Sequence, residues 1–295
     1  MKTKKLQPKI EKKKNLKHII TKYGRKLTQM YSKEHQEYLV NIKKRKRKIF
    51  LYQTSIIIIF LIVWQVLSDM GIINSFLFSS PQNIINTIKN FSKEQILNHI
   101  YITTYETIVS FSIATVIGLL IASIMWYNET FAKVINPYLT IINSLPKVAL
   151  GPLIIIWFGT GIDSIIVMAL SISLILSIIN LYNSFIDTNK DYIVLLKSFN
   201  ATKRMIFFKI IIPANKNNIF NSIKINISMS LIGVIMGELL VSKKGLGYLI
   251  MYGSQIFNIN LIITSVFILG TISYIIYLIV KIIENKIINK KIKSE

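Results

Sequence analysis

Six apolar stretches, each near the length that crosses a bilayer as a helix, constrain this chain more than any other feature. They cover residues 52–67, 101–125, 134–158, 164–185, 219–241 and 261–283. In hydrocarbon every backbone N–H and C=O must be satisfied within its own segment, which selects helices. The expected fold is therefore all-α: a polytopic membrane protein with six transmembrane helices. The first stretch is short and borrows flanking residues. The third contains Pro137, Pro146 and Pro152. Prolines are tolerated where neighbouring helices cover the freed carbonyls, so this stretch is expected inside a bundle. Isoleucine is abundant, but so are Lys and Asn, and all three have AT-rich codons. Segment length is therefore a better guide here than strand propensity.

Charge sets an orientation. Residues 1–49 carry 18 Lys/Arg and 3 Glu, a net +15 of the chain's +23. With the N-terminus inside, the outer segments are 68–100, 159–163 and 242–260. Their basic residues are Lys89, Lys93, Lys243 and Lys244 alone. The excess of Lys and Arg on the other side predicts that both termini are cytoplasmic. Two domains are expected: a basic cytoplasmic extension over 1–49 and a transmembrane domain over 50–295. The extension has too long a charged run for a signal peptide. Lys43, Lys44, Arg45, Lys46, Arg47 and Lys48 abut the first apolar stretch, which suits a tail touching anionic membrane lipid. Nucleic-acid binding is the rival reading, but the run lacks interleaved aromatics, so no nucleic-acid partner is expected. The pattern Leu27, Met30, Tyr31, Tyr38 and Leu39 offers a third use, docking on a partner.

Several chemistries are excluded. The chain has no Cys, hence no disulfide framework, Cys-type zinc site or thiol nucleophile. Its His residues, 18, 35 and 99, are too scattered for a metal motif. It has neither GxxxxGK[ST] nor GxGxxG, so any ATP must be bound by another chain. No catalytic residue, cofactor or metal is expected.

The long polar loop, 187–218, is the most informative segment. Tyr192, Leu195, Leu196 and Phe199 recur at helical spacing. Asn200 follows and tolerates the left-handed conformation that ends a helix. Thr202 can cap a second helix over 203–212, and Pro213 stops or kinks it. The sequence thus encodes helix, tight turn, helix. A plain interfacial connector is the alternative.

These residues bring a family into view. The loop positions Val194, Leu195, Leu196, Asn200, Ile210, Ile212 and Pro213 match a motif of Glu-Ala-Ala, a later Gly, and Ile-x-Leu-Pro. The acid and both alanines are absent, and Asn200 stands for the Gly. Around the loop, SLPKVALGPLIIIWFG from Ser144 to Gly159 resembles the same family, as does the region from Gly237 and Glu238 through Gly245, Leu246, Gly247, Tyr248, Leu249 and Ile250. Over residues 50–285 the chain resembles the permease subunit of a binding-protein-dependent ABC importer. It is closest to the branch handling nitrate, sulfonates, taurine, bicarbonate and thiamine-precursor-like solutes. The resemblance implies a homodimer of permeases, an extracytoplasmic substrate-binding protein, and cytoplasmic ABC ATPases that receive residues 191–213 as a coupling helix. The coupling residues it implies are Tyr192, Leu195, Leu196, Phe199, Asn200, Lys203, Arg204 and Pro213, with Phe207 and Phe208 completing an aromatic knob.

Ionisable residues inside a span are costly and therefore functional candidates. Lys147, just after Pro146, is either a pathway cation meeting an anionic solute or a structural charge paired with Glu106 or Glu238. Glu238 and Ser144 are further pathway or gate candidates. Lys224 and Lys281 are expected to snorkel, Asn180, Ser228 and Ser230 to join helices, and Trp157 to anchor at an interface. A secondary transporter or channel is the alternative function, and a non-transporting scaffold a third. The helix–turn–helix loop argues against both.

Overall fold

The computed structural model describes residues 33–90 and 93–292. Leu27, Met30 and Tyr31, and most of the basic extension, lie outside the described residues. The chain divides into a unit ending at Leu67 and a unit Ser68–Glu295.

The described residues of the first unit lie in one helix, α1, Lys33–Asp69, whose last two residues belong to the second unit. Its 37 residues correspond to ~55 Å at the helical rise. The apolar part, Arg47–Asp69, is long enough to cross a bilayer. The helix runs unbroken from the basic cluster into the apolar stretch.

The second unit begins with α2 (Ser75–Phe78) and α3 (Pro81–Asn90). Long α4 (Lys93–Tyr127) follows, then α5 (Glu129–Ser144), a 3-10 turn Lys147–Leu150 and α6 (Gly151–Phe158). Next come α7 (Ile162–Ile186), then α8 (Lys190–Ser198) and α9 (Lys203–Ile206). A π-turn, Phe207–Ile211, leads through α10 (Ile212–Ala214) into α11 (Lys216–Val241). The chain finishes with α12 (Leu246–Gln255) and α13 (Ile259–Ile292). No strand occurs among the described residues. Helices α1, α4, α7, α11 and α13 each contain a segment apolar and long enough to span.

The third apolar stretch departs from the expectation of one span. Helix α5 and the 147–158 segment meet at a bend of 87°. Pro137 is accommodated inside α5, whereas Pro146 caps the 3-10 turn and Pro152 opens α6. A proline has no N–H and favours an extended residue before it, so two of them six residues apart break the helix where one does not. Leu145, before Pro146, has ψ 140.

Helix α7 packs mainly between α4 and α11. Side-chain-free positions permit that. A Cβ on Gly233 of α11 would lie 2.4 Å from the Ala169 Cα of α7, and one on Gly118 of α4 would lie 2.3 Å from Ser177 Oγ. Gly237 faces Ile165 less tightly, with 3.0 Å from a Cβ to the Ile165 Cα. On the other side of α11, α12 and α13 close an apolar core of Ile227, Leu231, Leu246, Leu249, Leu269 and Ile272.

Candidate functional site

Two ends of the α4–α7–α11 group carry the polar chemistry. At one end α4 and α7 finish and α11 begins; this is the loop end. Helix α8 starts with Asn189, whose side chain accepts from Asp191 N. It ends in a two-bond cap: Asn200 N donates to Lys197 O (2.9 Å) and Ala201 N to Leu196 O (3.0 Å). This pairing requires a left-handed residue at the turn, and Asn200 supplies it at φ 54. The Thr202 hydroxyl accepts from Met205 N and starts α9. The second helix is not the regular one expected over 203–212. It widens to a π-turn, with Ile212 N reaching Phe207 O. Pro213 explains the widening, since its ring clashes with the carbonyl four residues back in a regular helix.

Three contacts seat the loop. Phe207 is buried among Trp126, Tyr127 and Phe185, with ring centroids 5.1, 5.0 and 5.8 Å away. It therefore anchors the loop from below and does not belong to an exposed knob. Leu196 and Ile193 pack on the same cluster. The Lys203 ammonium donates to Tyr127 O at the end of α4 (3.2 Å), where the helix dipole favours a cation. At the loop's base, buried Asn215 donates to Thr188 Oγ1 (2.6 Å) and Ile211 O (2.9 Å), tying the exit of α7 to the start of α11. What remains open is an apolar patch: Tyr192, Leu195, Phe199 (73% exposed) and Phe208. Arg204 is also exposed, and Pro213 is half-buried.

At the opposite end, Glu238 is buried and fully engaged. Its Oε1 accepts from Thr103 Oγ1 (2.6 Å) and its Oε2 from Gly247 N (2.5 Å). Thr103 Oγ1 accepts in turn from Leu246 N (2.8 Å). Gly245, at φ +104, has no room for a Cβ because the Glu238 carboxylate occupies that space. His99 Nδ1 accepts from Gly245 N (2.9 Å), and its ring stacks on Tyr248. Glu238 thus clamps the α11–α12 turn onto α4. Beside it lies Glu106, also fully buried, its carboxyl group against that of Glu238.

Lys147 sits at the bend and joins neither acid. Its ammonium donates to Asn143 O (2.9 Å) and Asn143 Oδ1 (3.0 Å), folding back over the end of α5. The Ser144 hydroxyl donates to Ile141 O. Lys224 forms an ion pair with Glu284 at 2.6 Å, where snorkelling alone was expected. Sequence reasoning missed the polar layer between these ends. In it Asn226 Nδ2 donates to Thr115 Oγ1 and Ser177 Oγ, both at 3.0 Å. It also missed Thr103 and His99, ordinary residues whose roles arise only from packing.

The family model described as "Binding-protein-dependent transport system inner membrane component" matches residues 114–294. The formylaminopyrimidine transport permease of Halalkalibacterium halodurans is 25% identical over 235 residues, covering 80% of this chain and 94% of that protein. The nitrate import permease of Synechococcus elongatus is 22% identical over 220 residues, covering 71% and 78%. Among solved structures, an inward-facing form of the MetNI methionine ABC transporter superposes with a TM-score of 0.59 at 19% identity, covering 66% of this chain and 99% of that one. That likeness concerns the fold.

Proposed function

The chain belongs to the family of binding-protein-dependent transport system inner membrane components, the permease subunits of ABC importers, and from that premise we propose how it works. The exposed patch of the loop docks in a groove on a cytoplasmic ATPase, and both termini lie on that side. Tyr192, Leu195, Phe199 and Arg204 make the contact. Asn200 shapes the turn, while Leu196, Lys203 and Pro213 hold the loop to the bundle. Two copies of the chain form the pathway, and an extracytoplasmic binding protein delivers solute to the other end. ATP is bound by the partner. The solute is small and has an anionic group, as in the nitrate and aliphatic sulfonate systems of related permeases. Lys147, with Ser144 and Pro146 at the bend, is the residue that meets it, and Glu238 holds the outer turn as part of the gate. Residues 1–49 form the cytoplasmic extension, and their basic run lies against anionic lipid.

The observation that carries this reading is the loop. Its core-facing residues are fully employed, yet large aromatic and aliphatic side chains are left bare at the turn. Exposed apolar side chains also line the spans, where lipid covers them; on the polar loop between α7 and α11 a partner protein is the matching cover. The test is purification of the tagged chain from its native membrane. An associated chain bearing a GxxxxGK[ST] loop is expected, and Phe199→Asp should release it while leaving the permease folded. Retention of the ATPase by Phe199→Asp would remove the loop from the interface.

A further inference from the structure

The short helices α2 and α3 carry bare apolar surface that neither the pathway nor the coupling loop uses. From Met70 to Ser92 the chain has no acid and one base, Lys89. Phe76, Leu77 and Phe78 of α2 are each more than half exposed. Helix α3 has three flanks. Ile84 is buried in the protein. Gln82, Asn86 and Lys89, at helical spacing, form an exposed polar flank. Ile85 and Ile88 lie between the two and are also exposed. Both helices pack on α13, whose apolar segment is long enough to span.

The backbone of this stretch is closed on itself. Leu77 N and Phe78 N donate to Asn74 O, both at 3.0 Å, and Ser79 N donates to Ser75 O at 3.0 Å. Asn74 Oδ1 accepts from Phe76 N (2.9 Å), and Ser80 Oγ accepts from Asn83 N at the start of α3 (3.2 Å). A loop in water has no need of such closure, whereas backbone lying against hydrocarbon does. The neighbours of the apolar strip differ from those of the coupling loop. Tyr192, Leu195 and Phe199 have the exposed charges Asp191, Lys197 and Arg204 beside them in the chain, the polar rim of a protein interface. Phe76, Leu77 and Phe78 are flanked by serines alone, and they adjoin a spanning helix whose own exposed side chains lipid covers. One apolar flank, one polar flank and a lone lysine describe a helix lying in the plane of the membrane surface.

We propose that α2 and α3 form an in-plane foot seated in the outer leaflet. Phe76, Leu77, Phe78, Ile85 and Ile88 enter the boundary between headgroups and acyl chains, and Gln82, Asn86 and Lys89 face water. The partner is the phospholipid surface itself. With one charge on the stretch, apolar area drives the insertion, so uncharged phosphatidylcholine is sufficient. The inference rests on α4 and α13 being spans, and it is independent of what the loop and the pathway bind.

The chain has no Cys, so one spin label at a time can be placed on the full chain, assembled with its ATPase in phosphatidylcholine vesicles. Collision with oxygen, which concentrates in hydrocarbon, is compared with collision with a water-soluble nickel chelate. Labels at Leu77 and Ile85 should meet oxygen more than the chelate and lie ~5–10 Å below the headgroup surface. Labels at Gln82 and Asn86 should show the opposite preference. Adding phosphatidylglycerol should leave these depths unchanged. Leu77→Asp, at an exposed position, should move the Ile85 label toward water without changing the melting temperature in detergent; the depths in the otherwise native chain do not depend on that variant. Chelate reaching Leu77 and Ile85 as readily as Gln82 and Asn86 would place the stretch in water and overturn the proposal. Exclusion of both agents from Leu77 would mean that protein covers it, a second copy or a binding protein, and would overturn it equally. A control label at Ile275, exposed near the middle of the α13 span, should meet oxygen alone; chelate reaching it would count against the spanning reading itself, a separate result.

Discussion

Replacing Asn200 by valine perturbs one backbone torsion and very little else. Asn200 is exposed and turns α8 into α9 at φ 54. Its two-bond cap needs that sign of φ. A left-handed conformation costs an L-residue with a Cβ roughly 1–2 kcal/mol, with β-branched residues at the upper end, while Asn and Gly adopt it readily. The loop can escape the strain by abandoning the cap, because the contacts that hold it from below, Ile193, Leu196, Phe207 and Lys203 among them, do not fix the φ of residue 200. A penalty of about 1–2 kcal/mol lowers the population of the docking-competent turn by a factor of roughly 5–30. The bundle below is untouched, so its thermal stability should fall only slightly. Uptake and substrate-stimulated ATP hydrolysis in proteoliposomes should fall about 5–30-fold in Asn200→Val, and Asn200→Gly should match the wild type. Full uptake and normal ATPase affinity in Asn200→Val would refute the assignment of this turn as the coupling element.

Three further outcomes are expected. A single cysteine placed at Lys243 should react with an impermeant thiol reagent from outside the cell and one at Lys203 should not; the native chain has no Cys to confuse the result, and the reverse pattern would invert the topology. Lys147→Met should slow uptake of an anionic solute by about tenfold while stability changes by less than about 1 kcal/mol, because the lost bonds to Asn143 are half-exposed and local; unchanged uptake would leave Lys147 as a cap on α5. Gly233→Ala should destabilise the purified protein by about 1–3 kcal/mol, since the new Cβ meets the backbone of Ala169; a wild-type melting temperature would show that α7 and α11 can separate freely.

Span length was the most legible property of the sequence. The stretches 164–185 and 219–241 fall within α7 (Ile162–Ile186) and α11 (Lys216–Val241), differing by at most three residues at any end. The Asn200 turn and the Thr202 cap were legible too, because each depends on one residue's local chemistry. The bend at Leu145 was not, since three prolines announce a break without saying which one makes it. Phe207 looked like its exposed neighbour Phe208; only the positions of Trp126, Tyr127 and Phe185 decide which ring is buried. Glu238 resembled an interfacial acid for the same reason. Its partners, Thr103 and Gly247, come from other segments of the chain. A carboxylate's role depends on what surrounds it, and sequence spacing carries no such information.

The glycine contacts of α7 also limit how this bundle can deform. Packed helices change register by about one turn, ~5.4 Å, because residues facing a neighbour recur every three or four positions. A step toward the start of α11 would bring Met229 against Ala169, where even the native position leaves 2.4 Å for a Cβ. The Gly118–Ser177 contact tightens the α4 seam, and the same Ser177 hydroxyl accepts from Asn226 of α11. These contacts oppose slip of α7 toward the start of α11 and favour motion of α4, α7 and α11 together. A push on the loop, stapled to α7 and α11 through Thr188 and Asn215, then reaches the Glu238 clamp as a tilt of the three helices.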